Sequence, residues 1–110
     1  MDISETPIGN YGAKMCGAVI TLCDALEEIR LSNCNIKDEG AVHIFEELKQ
    51  SESVMVLDLS NNPITEKVFD SLIQCLLQNK KIERVELKGM QVKNRFVLNK
   101  LKQFGGRVVI

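Results

Sequence analysis

The chain has no tryptophan, one tyrosine (Tyr11), one histidine (His43) and two prolines among 110 residues. Nor does it contain an apolar run near the ~18 residues that a membrane-spanning helix requires, so membrane insertion is not expected. The first ten residues, MDISETPIGN, lack both a basic start and an apolar core and do not read as a secretory leader. Its four cysteines (Cys16, Cys23, Cys34 and Cys75) include no CxxC pair, and the lone histidine sits at no metal-ligand spacing. Reduced thiols in a cytosolic or nuclear protein are therefore the expectation, cytoplasmic first. Glycine-rich phosphate loops and nucleophile–base pairs are missing as well, so neither an enzyme nor a bound cofactor or metal is expected.

What is present is a repeat. In Val54–Ile64, VMVLDLSNNPI, apolar residues fall at Val54, Leu57, Leu59 and Ile64, with Asn62 between the last two. The same positions recur 28 residues earlier as Leu26, Ile29, Leu31, Cys34 and Ile36, and 28 later as Ile82, Val85, Leu87, Met90 and Val92. A unit of this size cannot bury its own apolar face and must stack on its neighbours, which predicts a solenoid. The division expected is a single domain over 1–110. It comprises a partial repeat at 1–25, repeats at 26–53 and 54–81, and a closing repeat with the start of a further strand at 82–110. MDISETPI reads as half a strand and its turn.

Each repeat pairs a short strand with a helix. The spacing predicts a strand over Glu28–Ser32, with Ile29 and Leu31 inward. Helices are predicted over Gly12–Leu22, with Ala13, Cys16, Gly17 and Ile20 inward, and from Asp38 to about Lys49, with Ala41, Ile44, Phe45 and Leu48 inward. Val68, Phe69, Leu72, Ile73 and Leu76 form the next stripe. Phe96, Val97, Leu101 and Phe104 form the last, which Lys100 opens on one side. Gly105 and Gly106 end that helix, and Arg107–Ile110 begins a strand, although Val108–Ile110 also has the form of a sheet-edge ligand. His43 is expected to face solvent. Cys34 reads as a small buried hydrophobe in the turn. Cys75 aligns with Glu47 and Gln103 and is expected to be the most reactive thiol.

LEEIRLSNCNIKDEG and VMVLDLSNNPITEK resemble leucine-rich repeats, in particular the intracellular class similar to ribonuclease inhibitor. The resemblance implies an α/β horseshoe segment with a parallel sheet on the concave face and helices outside. Some members of that class alternate Cys and Asn at the position held here by Cys34 and Asn62. Thr6 and Met90 depart from it, so the ladder of turn-capping side chains is expected to be incomplete at both ends.

Charge is polarised along the chain. Residues 1–79 carry five Lys/Arg and thirteen Asp/Glu, whereas residues 80–110 carry nine Lys/Arg and two Asp/Glu. The basic set (Lys80, Lys81, Arg84, Lys88, Lys93, Arg95, Lys100, Lys102 and Arg107) suits an acidic protein surface, though scattered lysines ordinarily just solvate a face. Without interleaved aromatics, nucleic acid is not the expected partner. Head-to-tail association through the open ends fits the same polarity. With three strands and a fraction, both ends expose apolar surface, as in a piece of a longer protein or a block that docks end-on.

The outward strand positions form three columns: Glu28, Val56, Arg84; Asp2, Arg30, Asp58, Glu86; and Ser4, Ser32, Ser60, Lys88. From them, Glu28, Arg30, Ser32, Val56, Asp58, Arg84, Glu86 and Lys88 are the candidate partner-binding residues. The plainer alternative is that Arg30 pairs with Asp2 and Asp58 across the strands, each pair worth ~0.2–1 kcal/mol. The resemblance implies a non-catalytic protein-interaction scaffold. Cytoskeletal roles in filament capping (tropomodulin-type) or cilia come first, and a small-GTPase activator or an innate-immune sensor fragment is the alternative. Charge reversal at Arg30, Arg84 and Glu86 is expected to weaken partner capture without changing the melting temperature.

Overall fold

The computed structural model describes residues 1–110. Strands β1 (Glu28–Arg30), β2 (Val56–Asp58) and β3 (Arg84–Glu86) run parallel, with Ile29, Leu57 and Val85 side by side. Strand β4 (Val108–Val109) joins β3, and Asp2 bridges Arg30 on the opposite edge. Strand order is sequence order. Parallel neighbours need a crossover, and here each crossover is a helix. These are α1 (Gly9–Leu22), α2 (Asp38–Leu48), α3 (Phe69–Gln78, preceded by the 3-10 turn Glu66–Val68) and α4 (Arg95–Lys102).

The strand predicted over Glu28–Ser32 is three residues long, yet pairing continues past it. Leu31 N–H donates to Asp58 O at 2.8 Å and Asn33 N–H to Ser60 O at 3.0 Å. The chain then turns through a left-handed residue at the same position of each repeat, Glu5 (φ 67°), Asn33 (53°), Asn61 (58°) and Gly89 (87°), with Asn35 (57°) and Gly9 (65°) as additional ones. Asn and Gly tolerate that conformation, whereas Glu5 does so at a cost of ~1–2 kcal/mol.

Between sheet and helices lies one cluster of 24 buried residues. Leu31, Leu59 and Leu87 fill its sheet side at 1% exposure or less. Ala13, Cys16 and Ile20, then Ala41, Ile44, Phe45 and Leu48, then Phe69, Leu72 and Leu76 close it from the helices. Full burial of a Leu, Ile or Phe side chain contributes about 1.5–3 kcal/mol. This lining, more than helix propensity, holds elements this short in place.

The last repeat departs from the period. Val109 pairs with Glu86, 23 residues on instead of 28. A helix of eight residues and a 3-10 turn at Gly105–Arg107 return the chain to the sheet early. Of α4 only Leu101 is buried, and Phe96, predicted on the apolar stripe, is 68% exposed.

Two side-chain expectations on the helices also change. Cys75 is fully buried, and desolvation pushes its thiol up to about 12, so it is not the reactive thiol. His43 is half-exposed, and its ring packs over Gly17, where a Cβ would come within 2.8 Å of His43 Cδ2. The cause is shared. Glu39, His43 and Glu47 form the row that α2 turns toward α1, with Glu39 accepting from Lys14 and Glu47 from Thr21. The equivalent row on α3 includes Cys75, which therefore lies on the side turned toward α2.

Candidate functional site: the concave strip

Pleating sends alternate side chains of β1–β3 away from the helices, onto the inner curve. Arg30 is the centre of this surface. Its guanidinium lies 3.4 Å from Glu28, 3.7 Å from Asp58 and 3.2 Å from Glu86, carboxylates drawn from three strands. Burial disfavours the charge on Arg30, but Glu28, Glu86 and Asp58 together outweigh it and raise its pKa. Glu86 is also approached by Arg84 at 3.5 Å and Lys88 at 3.8 Å, and its side chain is only 12% exposed. Asp2 makes no ion pair with Arg30. Its carboxylate accepts from Ser4 N–H at 3.0 Å, and this bond and the Ser4 hydroxyl are what hold its pKa low.

The eight candidate residues thus fall into different surroundings. Arg30, Asp58 and Glu86 are tied to one another, so reversing Arg30 or Glu86 would leave like charges facing at close range and lower stability. That pairing argues against unchanged melting for those two. Val56 is on its column between Glu28 and Arg84 but is 6% exposed, shielded by its neighbours on the central strand. Ser32 is half-buried, and its N–H donates to Ser4 Oγ at 3.0 Å, as Lys88 N–H does to Ser60 Oγ at 3.0 Å. The serine column is therefore mortar between strands. Glu28, Arg84 and Lys88 remain, their side chains 53%, 42% and 62% exposed.

Three ladders of side chains hold the strip rigid by satisfying main-chain groups of the adjacent repeat. In the turns, Asn62 Oδ1 accepts from Cys34 N–H at 2.9 Å and Ile36 N–H at 3.0 Å, while its Nδ2 donates to Leu31 O at 2.8 Å and Leu59 O at 3.0 Å. Cys34 Sγ makes the weaker equivalent contact to Ile3 O at 3.3 Å. Met90 has no group for this, so the ladder stops there, as the departure from the pattern implied. At the helix ends, Asn79 Nδ2 donates to Leu48 O and Ser51 O at 2.8 and 2.7 Å. Arg107 donates in the same way to Ile82 O and Asn79 O, both at 2.9 Å. It is a structural cap, not a free member of the basic set.

Sequence reasoning missed the third ladder, at the helix starts. Asn10 Oδ1 accepts from Lys37 N–H and Gly40 N–H, Asp38 Oδ1 from Thr65 N–H, and Glu66 Oε1 from Lys93 N–H and Asn94 N–H. The signal was there: residues 10, 38 and 66 are oxygen-bearing side chains at the repeat spacing. At the end of the stack Asn94 caps its own helix, accepting from Phe96 N–H at 2.9 Å.

All four cysteines are free, and no helix is long and apolar enough to cross a membrane. Two family models described as leucine-rich repeats match the chain, one over residues 25–45 and one over residues 53–75. A protein phosphatase 1 regulatory subunit 37 homolog of Caenorhabditis briggsae is 39% identical over 67 residues. That match covers 56% of this chain and spans only 7% of the relative's length. Among solved structures, leiomodin-1 actin-binding site 2 superposes with a TM-score of 0.80 over 97% of this chain and 78% of that one, at 16% identity. At that identity the likeness is one of fold.

Proposed function

We propose that this leucine-rich-repeat protein is a non-catalytic interaction module that holds a protein partner on its concave strip. The supporting observation is the division of charge there. Arg30 holds Asp58 and Glu86 at the centre, leaving Glu28 on one side and Arg84 with Lys88 on the other as the more exposed members of the network on a stiff parallel sheet. Two strand spacings, roughly 10 Å, separate Glu28 from Arg84. A suitable partner segment sets a basic group toward β1 and acidic groups over β3, which fixes its direction across the strip.

A cytoskeletal partner is the first choice, because a solved structure of matching fold is named as an actin-binding site. A regulatory role is the second reading, favoured by the relative named as a protein phosphatase 1 regulatory subunit homolog. Four free thiols suit a reducing cytoplasmic setting for either. The test uses two probes, actin filaments in co-sedimentation and the phosphatase 1 catalytic subunit in a pull-down. The wild-type chain is compared with the triple variant Glu28→Lys, Arg84→Glu, Lys88→Glu. Capture of one probe, weakened about tenfold or more in the variant at a temperature where circular dichroism shows both chains folded, supports the strip as the interface. Equal capture by both proteins removes the strip, and capture of neither probe removes both partner choices.

A further inference from the structure

Helix α1 carries an apolar row that nothing covers. Tyr11, Met15, Val19 and Leu22 are 79%, 58%, 41% and 83% exposed, and their spacing sets them along one side of the helix. Counted by the repeat, these positions match Glu39, His43 and Glu47 on α2 and Gln50 just past its end. Glu39, His43 and Glu47 are the residues α2 turns onto the preceding helix, where they meet Lys14, Gly17 and Thr21. On α3 the matching Cys75 is buried at 0% exposure. On α2, and at Cys75 on α3, the row is thus the side by which the helix joins its predecessor. On α1 it is apolar, and no helix of the structure packs on it. The sheet is open at the same end, where the segment around Asp2 forms its outer edge.

The opposite end is open too, at the two-residue edge strand β4 and at α4, where Phe96 is 68% exposed and Ile110 42%. Charge selects between the ways two such ends can meet. Residues 1–25 hold Lys14 and the Met1 ammonium against Asp2, Glu5 and Asp24, a small acidic excess, and Lys14 is already paired with Glu39. Residues 82–110 hold seven Lys/Arg against two Asp/Glu, and Lys93, Arg95, Lys100 and Lys102 are all exposed. Pairing either end with itself brings like charges together. Pairing the two different ends brings the basic surface onto the acidic one and continues the parallel sheet and the helix layer in the same direction.

We propose that the α1 face docks the α4 end of a second copy of this chain, so that copies add head to tail. Such a contact is heterologous and does not close on itself, so growth continues with concentration and is weakened by salt.

The test is sedimentation of the whole chain over a range of concentrations, at low and high salt, with two variants. One, Met15→Lys with Leu22→Lys, spoils the α1 end. The other, Phe96→Ser with Lys100→Ser and Lys102→Ser, spoils the α4 end. All five changes are at exposed positions and leave the concave charges untouched, so failure here does not bear on partner capture. The expected result is that wild-type mass rises with concentration at low salt, each variant alone stays monomeric, and an equimolar mixture forms a one-to-one dimer that grows no further. A wild-type chain monomeric throughout, a wild-type dimer that stops growing, or a mixture that stays monomeric overturns the proposal.

Discussion

Asn62 shows how much of this fold rests on single polar side chains. Its amide satisfies two N–H groups and two carbonyls from two repeats, which no neighbouring side chain could replace. Asn62→Ala is expected to lower stability by about 2–4 kcal/mol, because orphaned main-chain groups cost more than the bonds themselves were worth. Urea unfolding measures this directly, and a loss within about 0.5 kcal/mol, the ordinary range for a surface change, would contradict the ladder. The thiols give a second expectation. Cys23 is the one cysteine not buried, so alkylation of the native chain at neutral pH should reach it first and Cys75 last. Cys75 is held neutral, with its pKa raised from the ordinary 9.0 to about 12. Its contribution to stability is therefore complete below pH 9 and is lost as pH rises toward 12, since the unfolded chain releases that proton first. Thermal melts across that window should fall more steeply for wild type than for Cys75→Ala. At this scale the sequence was legible in part. Asn62 stood out through its place in the repeat, whereas Asn10, Asp38 and Glu66 did not, because each caps a neighbouring repeat instead of its own helix.

Helices α2 and α4 occupy equivalent places and differ in what surrounds them. Five residues of α2 are buried, among them Phe45 at 0% exposure, while α4 buries Leu101 alone. Phe45→Ala should therefore cost about 3–5 kcal/mol, and Phe96→Ala less than about 0.5 kcal/mol. Paired urea titrations decide this, and comparable losses would mean that α4 is packed as α2 is. The strands and the first three helices were legible because burial imposes a period of two on one and 3.6 on the other, and both periods were intact. Phe96 misled because hydrophobic spacing records which side of a helix is apolar, not whether a neighbour exists to cover it. Cys75 misled for the converse reason. Its polar equivalents Glu47 and Gln103 suggested solvent, yet that row faces the preceding helix, and Glu47 is itself bonded to Thr21 there. Val56 was read as exposed from strand alternation, which identifies the side of the sheet but not the shielding by longer residues beside it.

For the whole molecule the governing fact is that sequence order and spatial order coincide, so the acidic and basic halves of the chain become opposite ends of the stack. That polarity was readable from composition and the repeat together. What was not readable was how the concave charges divide, because it depends on the reach of the Arg30 guanidinium across two strands to Glu86. The central claim is that side chains recurring every 28 residues share one continuous interior, tightest in the middle repeats and loosest where α4 closes the stack. Hydrogen exchange followed segment by segment tests it most directly, since protection tracks the free energy of local opening. The account predicts that amides of β1, β2, α2 and α3 exchange slowly and together, with those of α4 exchanging first. Independent opening of β1 and β2, or protection of α4 equal to that of α2, would contradict it.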